Sequence, residues 1–138
     1  MKKILITGGA GYIGSHFIKN LNNLKFRVTV IDNLMFKKNI NYLKKKTNLN
    51  FIKGDVRDEK LIKEEVNKND IIIPLAGIVG APLSEKMPVE TKQINEDAIK
   101  YLSSVCSKNH LIIMPVSNSG YGVGKKDKFC DENSPLNP

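Results

Sequence analysis

The spacing of apolar residues switches repeatedly between strand-like and helix-like patterns along the chain. Short β-branched or continuously apolar runs predict strands, and runs with apolar residues three or four apart predict helices between them. Strands that alternate with helices predict an α/β fold, in which helices cover both faces of a parallel sheet. The predicted strands are 2–7, 26–32, 49–55, 70–77 and 110–117; the predicted helices are 11–24, 57–69 and 88–109, and 39–48 is a weak helix or a loop.

Local signals support several of these boundaries. Asp58 is a candidate cap for the second helix, and Pro88 is a typical first residue for the third. The continuous apolar run of the fourth strand, "DIIIPLAG", indicates burial on both faces. From Ser117 onward the chain is rich in Gly, Pro, Asn and Lys, which predicts a loop.

Composition narrows the class of protein. The 138 residues are 41% hydrophobic and 26% charged, which is typical of one globular domain. No apolar run approaches the roughly 20 residues that span a bilayer, and the N-terminus lacks the long apolar region of a signal peptide. Cys106 and Cys130 form no paired motif. We therefore expect a cytoplasmic protein without membrane association, and we predict no metal site.

The net charge of +8 raises the question of nucleic-acid binding. Of the 22 basic residues only Arg27 and Arg57 are arginines, and the other 22 − 2 = 20 are lysines spread along the chain. Arginine is the preferred residue for bidentate contacts to phosphates and bases. The charge therefore indicates a solvated surface and no nucleic-acid partner, although such a surface attracts anionic small molecules.

The strongest motif is "ITGGAGYIGSH", which joins the first strand to the first helix. Gly8, Gly11 and Gly14 are spaced three apart. The first two allow a tight turn and a close approach of the backbone to a pyrophosphate, while Gly14 lets the helix pack near the strand. The free N–H groups at the start of the helix then face the anion. The motif predicts a dinucleotide site.

Asp32 ends the second strand about 20 residues after the glycine motif. A carboxylate at this place accepts hydrogen bonds from the adenosine ribose hydroxyls and repels the 2′-phosphate of NADP. The following residues contain no arginine that would hold such a phosphate. The sequence therefore favours NAD as the cofactor.

The segments "TGGAGYIGSH", "VIDNL", "GDVRD", "PLAG" and "VSNSGYG" follow one another in an order that resembles the extended short-chain dehydrogenase/reductase family. More closely, they resemble its NAD-dependent nucleotide-sugar epimerase/dehydratase branch. The resemblance covers the whole chain and implies a Rossmann-like doubly wound parallel sheet in the order 3-2-1-4-5. It also implies cofactor contacts from Gly8, Gly11, Tyr12, Ile13, Gly14, Asp32, Asn33, Asp55, Val56, Leu75, Ala76 and Gly77.

Within that set the resemblance implies distinct roles. Tyr12 and Ile13 would contact the pyrophosphate through their backbone, and Asn33 would help Asp32 to hold the ribose. Asp55 and Val56 would border the adenine, the carboxylate by accepting from the exocyclic amine and the valine by packing on the ring. The small residues 75–77 would pass close to the cofactor ribose.

The fourth strand departs from the family pattern. Pro74 stands where the family often has histidine, and because proline lacks an N–H we expect altered strand pairing there. Asn95 resembles an asparagine of the family's fourth helix, although an ordinary polar surface position is an equally open interpretation.

Tyr121 and Lys125 have the Tyr-x-x-x-Lys spacing of an acid/base pair, which acts from one face of a helix. Glycines lie at positions 122 and 124, and each costs a helix roughly 1 kcal/mol. We therefore expect that Tyr121 is structural. The resemblance supports this view, because it assigns Ser117 to the reacting sugar hydroxyl or carbonyl and Tyr121 to a structural "YG" pair.

The resemblance places the true tyrosine–lysine pair shortly beyond Pro138. We therefore expect residues 1–138 to be an incomplete NAD-binding domain without the C-terminal substrate-binding part, which binds NAD weakly at best and shows no turnover alone. The intact enzyme would act on a nucleotide sugar, and a homodimer is one candidate assembly. Two alternatives stay open: another enzyme of the same family, and a non-catalytic NAD-binding module.

Overall fold

The computed structural model describes residues 1–21, 25–36, 48–123 and 129–137. Its strands are β1 (Lys2–Thr7), β2 (Phe26–Asp32), β3 (Leu49–Lys53), β4 (Ile71–Pro74) and β5 (Leu111–Ile112). Its α-helices are α1 (Tyr12–Asn20), α2 (Glu59–Asn67), α3 (Ala81–Lys86), α4 (Pro88–Lys92) and α5 (Ala98–Val105). A π-helical turn (Gln93–Asp97) joins α4 to α5, and a 3₁₀ helix (Asn118–Tyr121) follows β5.

The five strands form one parallel sheet in the order β3-β2-β1-β4-β5. The central strand β1 pairs on both sides, so that Ile4 lies between Val28 and Ile71. The strand order reverses between β1 and β4, where the loops after these strands separate and leave a crevice. The predicted doubly wound sheet and its order are confirmed.

Alternating side chains of the sheet build one apolar cluster on each face. One cluster packs against α1 and contains Ile4, Ile6, Ala10, Ile18, Val28, Val30 and Ile73. The other packs against α2 and α5 and contains Leu5, Ile31, Ile62, Val66, Ile72 and Leu102. Because β1 and β4 contribute to both clusters, they carry the continuous apolar runs seen in the sequence.

The helix starts agree with the sequence signals better than the helix ends do. Asp58 caps α2, and its side chain accepts a hydrogen bond from the Leu61 N–H at 3.0 Å. The first helix was predicted to reach residue 24, but Leu21 already has extended backbone angles. The predicted helix 88–109 ends at Val105, the last residue of α5, because Cys106 has extended backbone angles.

Two features were not predicted. Helix α3 has only six residues, which is too short for helical periodicity to show in the sequence. The predicted helix 88–109 is interrupted by the π turn, although its backbone stays helical from α4 through Ala98. The predicted weak helix or loop 39–48 lies outside the described residues except for Asn48.

Strand β5 is much shorter than the predicted 110–117, and Pro74 supplies the reason. The Ile113 N–H donates to the Ile72 carbonyl at 2.9 Å, and the next bond of this parallel ladder requires an N–H at position 74. Proline has none, so pairing stops. The predicted alteration at Pro74 is confirmed on the β5 side, while toward β1 Pro74 still pairs with Thr7.

Among the described residues, no helix has the length and apolar character that crossing a bilayer requires.

Candidate functional site

A cleft opens at the carboxyl edge of the sheet, where the loops after β1, β2, β3 and β4 meet. Its floor is apolar, and Asp32 and Asn33 supply polar side chains at its wall. This is the position at which open α/β sheets bind ligands. The cleft is lined by Gly8, Gly11, Ile31, Asp32, Asn33, Met35, Phe36, Gly54, Val56, Leu75, Ala76, Gly77, Ile78 and Ile94.

The glycine motif brings the backbone after β1 into close contact with its neighbours. Gly8 has a φ of +70°, and a Cβ added there would lie 2.5 Å from the Ala76 nitrogen. A Cβ on Gly14 would lie 2.6 Å from Gly9 Cα, so the start of α1 packs directly on the turn. These distances are too short for any side chain. Gly8 and Gly14 are therefore required by the fold, as the spacing predicted.

The N-terminus of α1 points its backbone groups toward this turn. Its N-cap is Gly11, which has no side chain to cap the first turn, and no acidic residue lies in that turn. Tyr12 and Ile13 are 73% and 59% exposed, and neither lines the cleft. The positive end of a nine-residue helix is thus left for an anion, which fits the predicted backbone contacts to a pyrophosphate.

Asp32 is held by two backbone N–H groups. One carboxylate oxygen accepts from Ala10 at 3.0 Å and the other from Leu34 at 2.8 Å. Leu34 takes a left-handed φ of 59° to close this turn. A carboxylate has about four acceptor positions, so two remain for donors in the cleft. The pair of hydroxyls on a ribose is a ligand that such a carboxylate can hold.

Asp55 makes more contacts with protein than the sequence suggested. One oxygen accepts from the Arg57 backbone N–H at 3.0 Å and from Arg57 Nε at 2.8 Å. The other accepts from Arg57 Nη2 at 2.8 Å and from Asn33 Nδ2 at 3.1 Å. The hydrogen bonds and charge of Arg57 hold the pKa of the Asp55 carboxyl well below its usual range. Asp55 is therefore ionised and fixed beside the cleft.

Arg57 bears on the choice between NAD and NADP, although it is distant from Asp32 in the sequence. In the structure, Arg57 is linked through Asp55 to Asn33, the residue next to Asp32. Its guanidinium is occupied by the Asp55 carboxylate and by Gln93, whose Oε1 accepts from Nη1 at 3.0 Å. An arginine does lie near Asp32 in space, but it is already paired with the Asp55 carboxylate.

Asn95 fixes the loop after β4. Its Oδ1 accepts from the Ile78 N–H at 2.9 Å, and its Nδ2 donates to the Ile78 carbonyl at 2.7 Å. Asn95 lies in the π turn. It also packs beside Gly77, where a Cβ would lie 3.3 Å from the Asn95 Oδ1. Asn95 is exposed, as the surface interpretation expected, but both polar atoms of its side chain hold the loop at Ile78, so it also shapes the cleft wall.

Ser117 lies apart from the residues that line the cleft. It precedes the 3₁₀ helix, is exposed, and its hydroxyl hydrogen-bonds the Ser119 hydroxyl. Tyr121 ends that short helix, and Gly122 follows with a φ of +71°. The helical geometry that an acid/base pair requires thus stops at Tyr121, as expected. Lys125 lies outside the described residues.

The sequence argument missed several residues that line the cleft or support the turn beside it. Gly9 packs on Val30, and a Cβ there would lie 2.7 Å from Val30 Cγ1. A Cβ on Gly54 would lie 2.4 Å from Leu61 Cδ2. Both glycines stand inside the quoted motifs, so close packing was a signal available for them. The apolar lining residues gave no such signal, because they look like ordinary core or surface positions: Met35, Phe36, Ile78 and Ile94.

A family model described as "NAD dependent epimerase/dehydratase family" matches residues 4–138, which is nearly the whole chain. The chain belongs to the NAD-dependent epimerase/dehydratase family. The family expected from the motifs is confirmed, and NAD, the expected cofactor, is the one that the family's description names. The roles of single residues in this family member stay predictions.

Three proteins illustrate the similarity of this family member to others. It is 34% identical to dTDP-D-glucose 4,6-dehydratase of Dictyostelium discoideum, over 99% of the chain and 34% of the relative. The UDP-N-acetylglucosamine 4-epimerase of Methanobrevibacter ruminantium M1 is 30% identical with a TM-score of 0.84. The enzyme WbmH of Bordetella bronchiseptica, solved in complex with NAD⁺, is 25% identical with a TM-score of 0.82.

The match covers this chain far better than it covers these proteins. It includes 99% of the chain and 44% of the Methanobrevibacter structure, and 100% of the chain and 46% of WbmH. The chain thus spans between about a third and a half of the length of these three proteins.

Proposed function

We propose that this chain forms the NAD-binding part of an enzyme that converts nucleotide sugars by epimerisation or dehydration. One observation carries the proposal: the Asp32 carboxylate, with acceptor positions left, faces the same cleft as the side-chain-free turn at Gly8 and Gly11. That combination suits a dinucleotide, whose ribose needs an acceptor and whose pyrophosphate needs close backbone N–H groups.

The residues around the cleft suit each part of an NAD molecule. The turn at Gly8 excludes side chains from the pyrophosphate position, and the N-terminus of α1 provides positive charge there. Asp32 orients the adenosine ribose, with Asn33 beside it. Val56 offers apolar surface to the adenine, next to the fixed carboxylate of Asp55. Leu75, Ala76 and Gly77 line the part of the cleft beyond β4, where Ala76 and Gly77 leave the backbone accessible.

Bound NAD would supply the hydride acceptor, while the chain binds and orients it. The proposed substrate class is the nucleotide sugar, because the dehydratase and the epimerase reported above carry nucleotide sugars in their names. Ser117 is the proposed contact to the reacting sugar hydroxyl or carbonyl. It is exposed after β5, at the same edge of the sheet as the cleft.

Binding of reduced cofactor tests the proposal directly. We expect the fluorescence of NADH to change when it is titrated with the chain, and NAD to reverse the change. Asp32→Ala should abolish the response, because the ribose acceptor and the brace on Ala10 are both lost.

Asp131→Ala is the matched control. Asp131 Oδ1 accepts from the Asn133 N–H two residues on, as Asp32 accepts from Leu34, but it lies in the exposed tail. This control should bind NADH like the wild type. Equal binding by wild type and Asp32→Ala, or no binding by the wild type, would contradict the proposal.

A further inference from the structure

Four side chains form a continuous hydrogen-bonded chain along one end of the cleft. Asn33 donates to Asp55, Asp55 accepts two side-chain hydrogen bonds from Arg57, and Arg57 donates to Gln93. We call these four residues the Arg57 network. Its distances lie between 2.8 and 3.1 Å. It links the loop after β2, the loop after β3 and the π turn, which are far apart in sequence.

Each member of the Arg57 network stands in or beside the lining of the cleft. Asn33 lines it directly, and its Oδ1 also accepts from the Met35 N–H at 2.9 Å. The sequence neighbours of Asp55, Gly54 and Val56, line the cleft, and so does Ile94, which follows Gln93. A shift of the network would therefore move the wall at several points.

Arg57 is the centre of this network. Its guanidinium meets the carboxylate with two parallel N–H···O bonds, a geometry that fixes the plane of both groups. It supplies three of the four hydrogen bonds that Asp55 accepts. Without the Arg57 side chain, Asp55 would keep only the hydrogen bonds from Asn33 Nδ2 and from the backbone N–H of residue 57, and its carboxylate would be held less firmly. The loop after β3 would also lose its side-chain contact to Gln93.

The network also determines charge at this end of the cleft. An unpaired carboxylate beside the cleft would repel the phosphates of a dinucleotide, and the guanidinium offsets that charge. Lysine would restore the charge but not the paired hydrogen bonds, because its ammonium group is a point charge.

We propose that Arg57 is a positioning residue for the adenosine end of the cofactor, acting through Asp55 and Asn33. This inference rests on the proposed function. The side chain of Arg57 is 39% exposed, and ion pairs of this kind contribute little to stability. Its main effect is therefore on the geometry of the cleft wall.

The test is an amide-shift titration by NMR of the 138-residue chain, which measures weak as well as strong binding. The ligands are NAD and AMP, which carries the adenosine end alone. Arg57→Gln should weaken both ligands by the same factor, about tenfold, because charge-assisted hydrogen bonds are lost. Arg57→Lys should fall between wild type and Arg57→Gln. A melting curve for each variant checks that the fold is kept.

Arg27→Gln is the matched control, since Arg27 is the other arginine and lies exposed near the amino end of β2, at the opposite edge of the sheet. It should bind both ligands like the wild type. If Arg57→Gln does not fold, Gln93→Ala removes only the outer contact of the guanidinium and should weaken both ligands about threefold.

Other outcomes overturn the inference. Unchanged NAD affinity in Arg57→Gln, a loss for NAD without a loss for AMP, full binding by Arg57→Lys, or an equal loss in Arg27→Gln would each exclude the positioning role. Unchanged affinities in Gln93→Ala would show that the hydrogen bond from Arg57 to Gln93 in the π turn has no part in that role. Failure of the wild type to bind NAD would contradict the proposed function itself, and the role of Arg57 with it.

Discussion

Gly8 and Ala76 lie in direct backbone contact, so that a Cβ on Gly8 would stand 2.5 Å from the Ala76 nitrogen and 2.6 Å from its Cα. The contact joins the turn after β1 to the loop after β4 across the crevice of the sheet. It leaves no room for a side chain and explains why the first glycine of the motif is needed before any ligand is considered.

Gly8→Ala should therefore destabilise the chain by several kcal/mol, of which the left-handed φ accounts for only about 1 kcal/mol. Gly80→Ala is the control, because Gly80 also has a positive φ, +92°, but no atom of the described residues lies within 4 Å of its added Cβ. Thermal melting of both variants gives the comparison. Equal losses of stability would mean that the backbone contact at Ala76 is not close.

The two hydrogen bonds between Asn95 and the Ile78 backbone give a second prediction. Asn95→Asp keeps an acceptor for the Ile78 N–H but places a carboxylate oxygen against the Ile78 carbonyl. We expect a loss of about 1 kcal/mol in the free energy of unfolding, because the part-buried Ile78 carbonyl loses its donor and faces a carboxylate oxygen instead. Asn109→Asp, at an exposed position after α5, should cost far less. Urea unfolding of the two variants measures both losses, and similar values would show that the hydrogen bonds between Asn95 and Ile78 do not stabilise the loop.

The Asp55–Arg57 ion pair predicts a pH dependence of stability. The pKa of Asp55 is lowered in the folded chain by the hydrogen bonds from Arg57, so its contribution to stability is complete above the unfolded-state value of 3.8 and is lost progressively as the pH falls below that value. Arg57→Gln should be about 1 kcal/mol less stable than the wild type near neutral pH. That difference should shrink below about pH 4, where the wild type loses the benefit. A difference that stays constant down to acid unfolding would show that the carboxylate is not responsible.

Tyr121 gives a prediction about chemistry. Because the 3₁₀ helix ends at Tyr121 and Gly122 is left-handed, Tyr121→Phe should leave NAD binding unchanged. We expect the same of any turnover measured with NAD and a panel of UDP-, dTDP- and GDP-sugars. Lys125→Ala serves as the companion variant. Turnover by the wild-type chain that either substitution abolishes, without unfolding, would identify Tyr121 and Lys125 as the acid/base pair.

The sequence predicted the features that depend on local chemistry. The five strands followed from their apolar runs, while their order came from the resemblance of the motifs to the extended short-chain dehydrogenase/reductase family. Asp58 was found from capping preference, and Gly8, Gly11 and Gly14 from their spacing. These signals act within a few residues, so one sequence is enough to show them.

Contacts between distant segments were beyond such signals. Arg57 and Asn33 meet on Asp55 although 22 residues separate Asn33 from Asp55. The π turn has no signature in its residues, and Asn95 gains its role only when the loop at Ile78 lies beside it. The early end of β5 depended on register, because Pro74 matters only once it stands opposite that strand.

The central claim is that Asp32 and the glycine turn form an NAD site that excludes NADP. The most direct test is to titrate the isotope-labelled chain with NAD and NADP in parallel and to map the amide shifts by NMR. Our account predicts that NAD shifts the signals of Gly8, Gly11, Asp32 and Val56, and that NADP binds at least about tenfold more weakly because its 2′-phosphate meets the Asp32 carboxylate. Equal affinity for the two cofactors, or shifts confined to other parts of the chain, would contradict it.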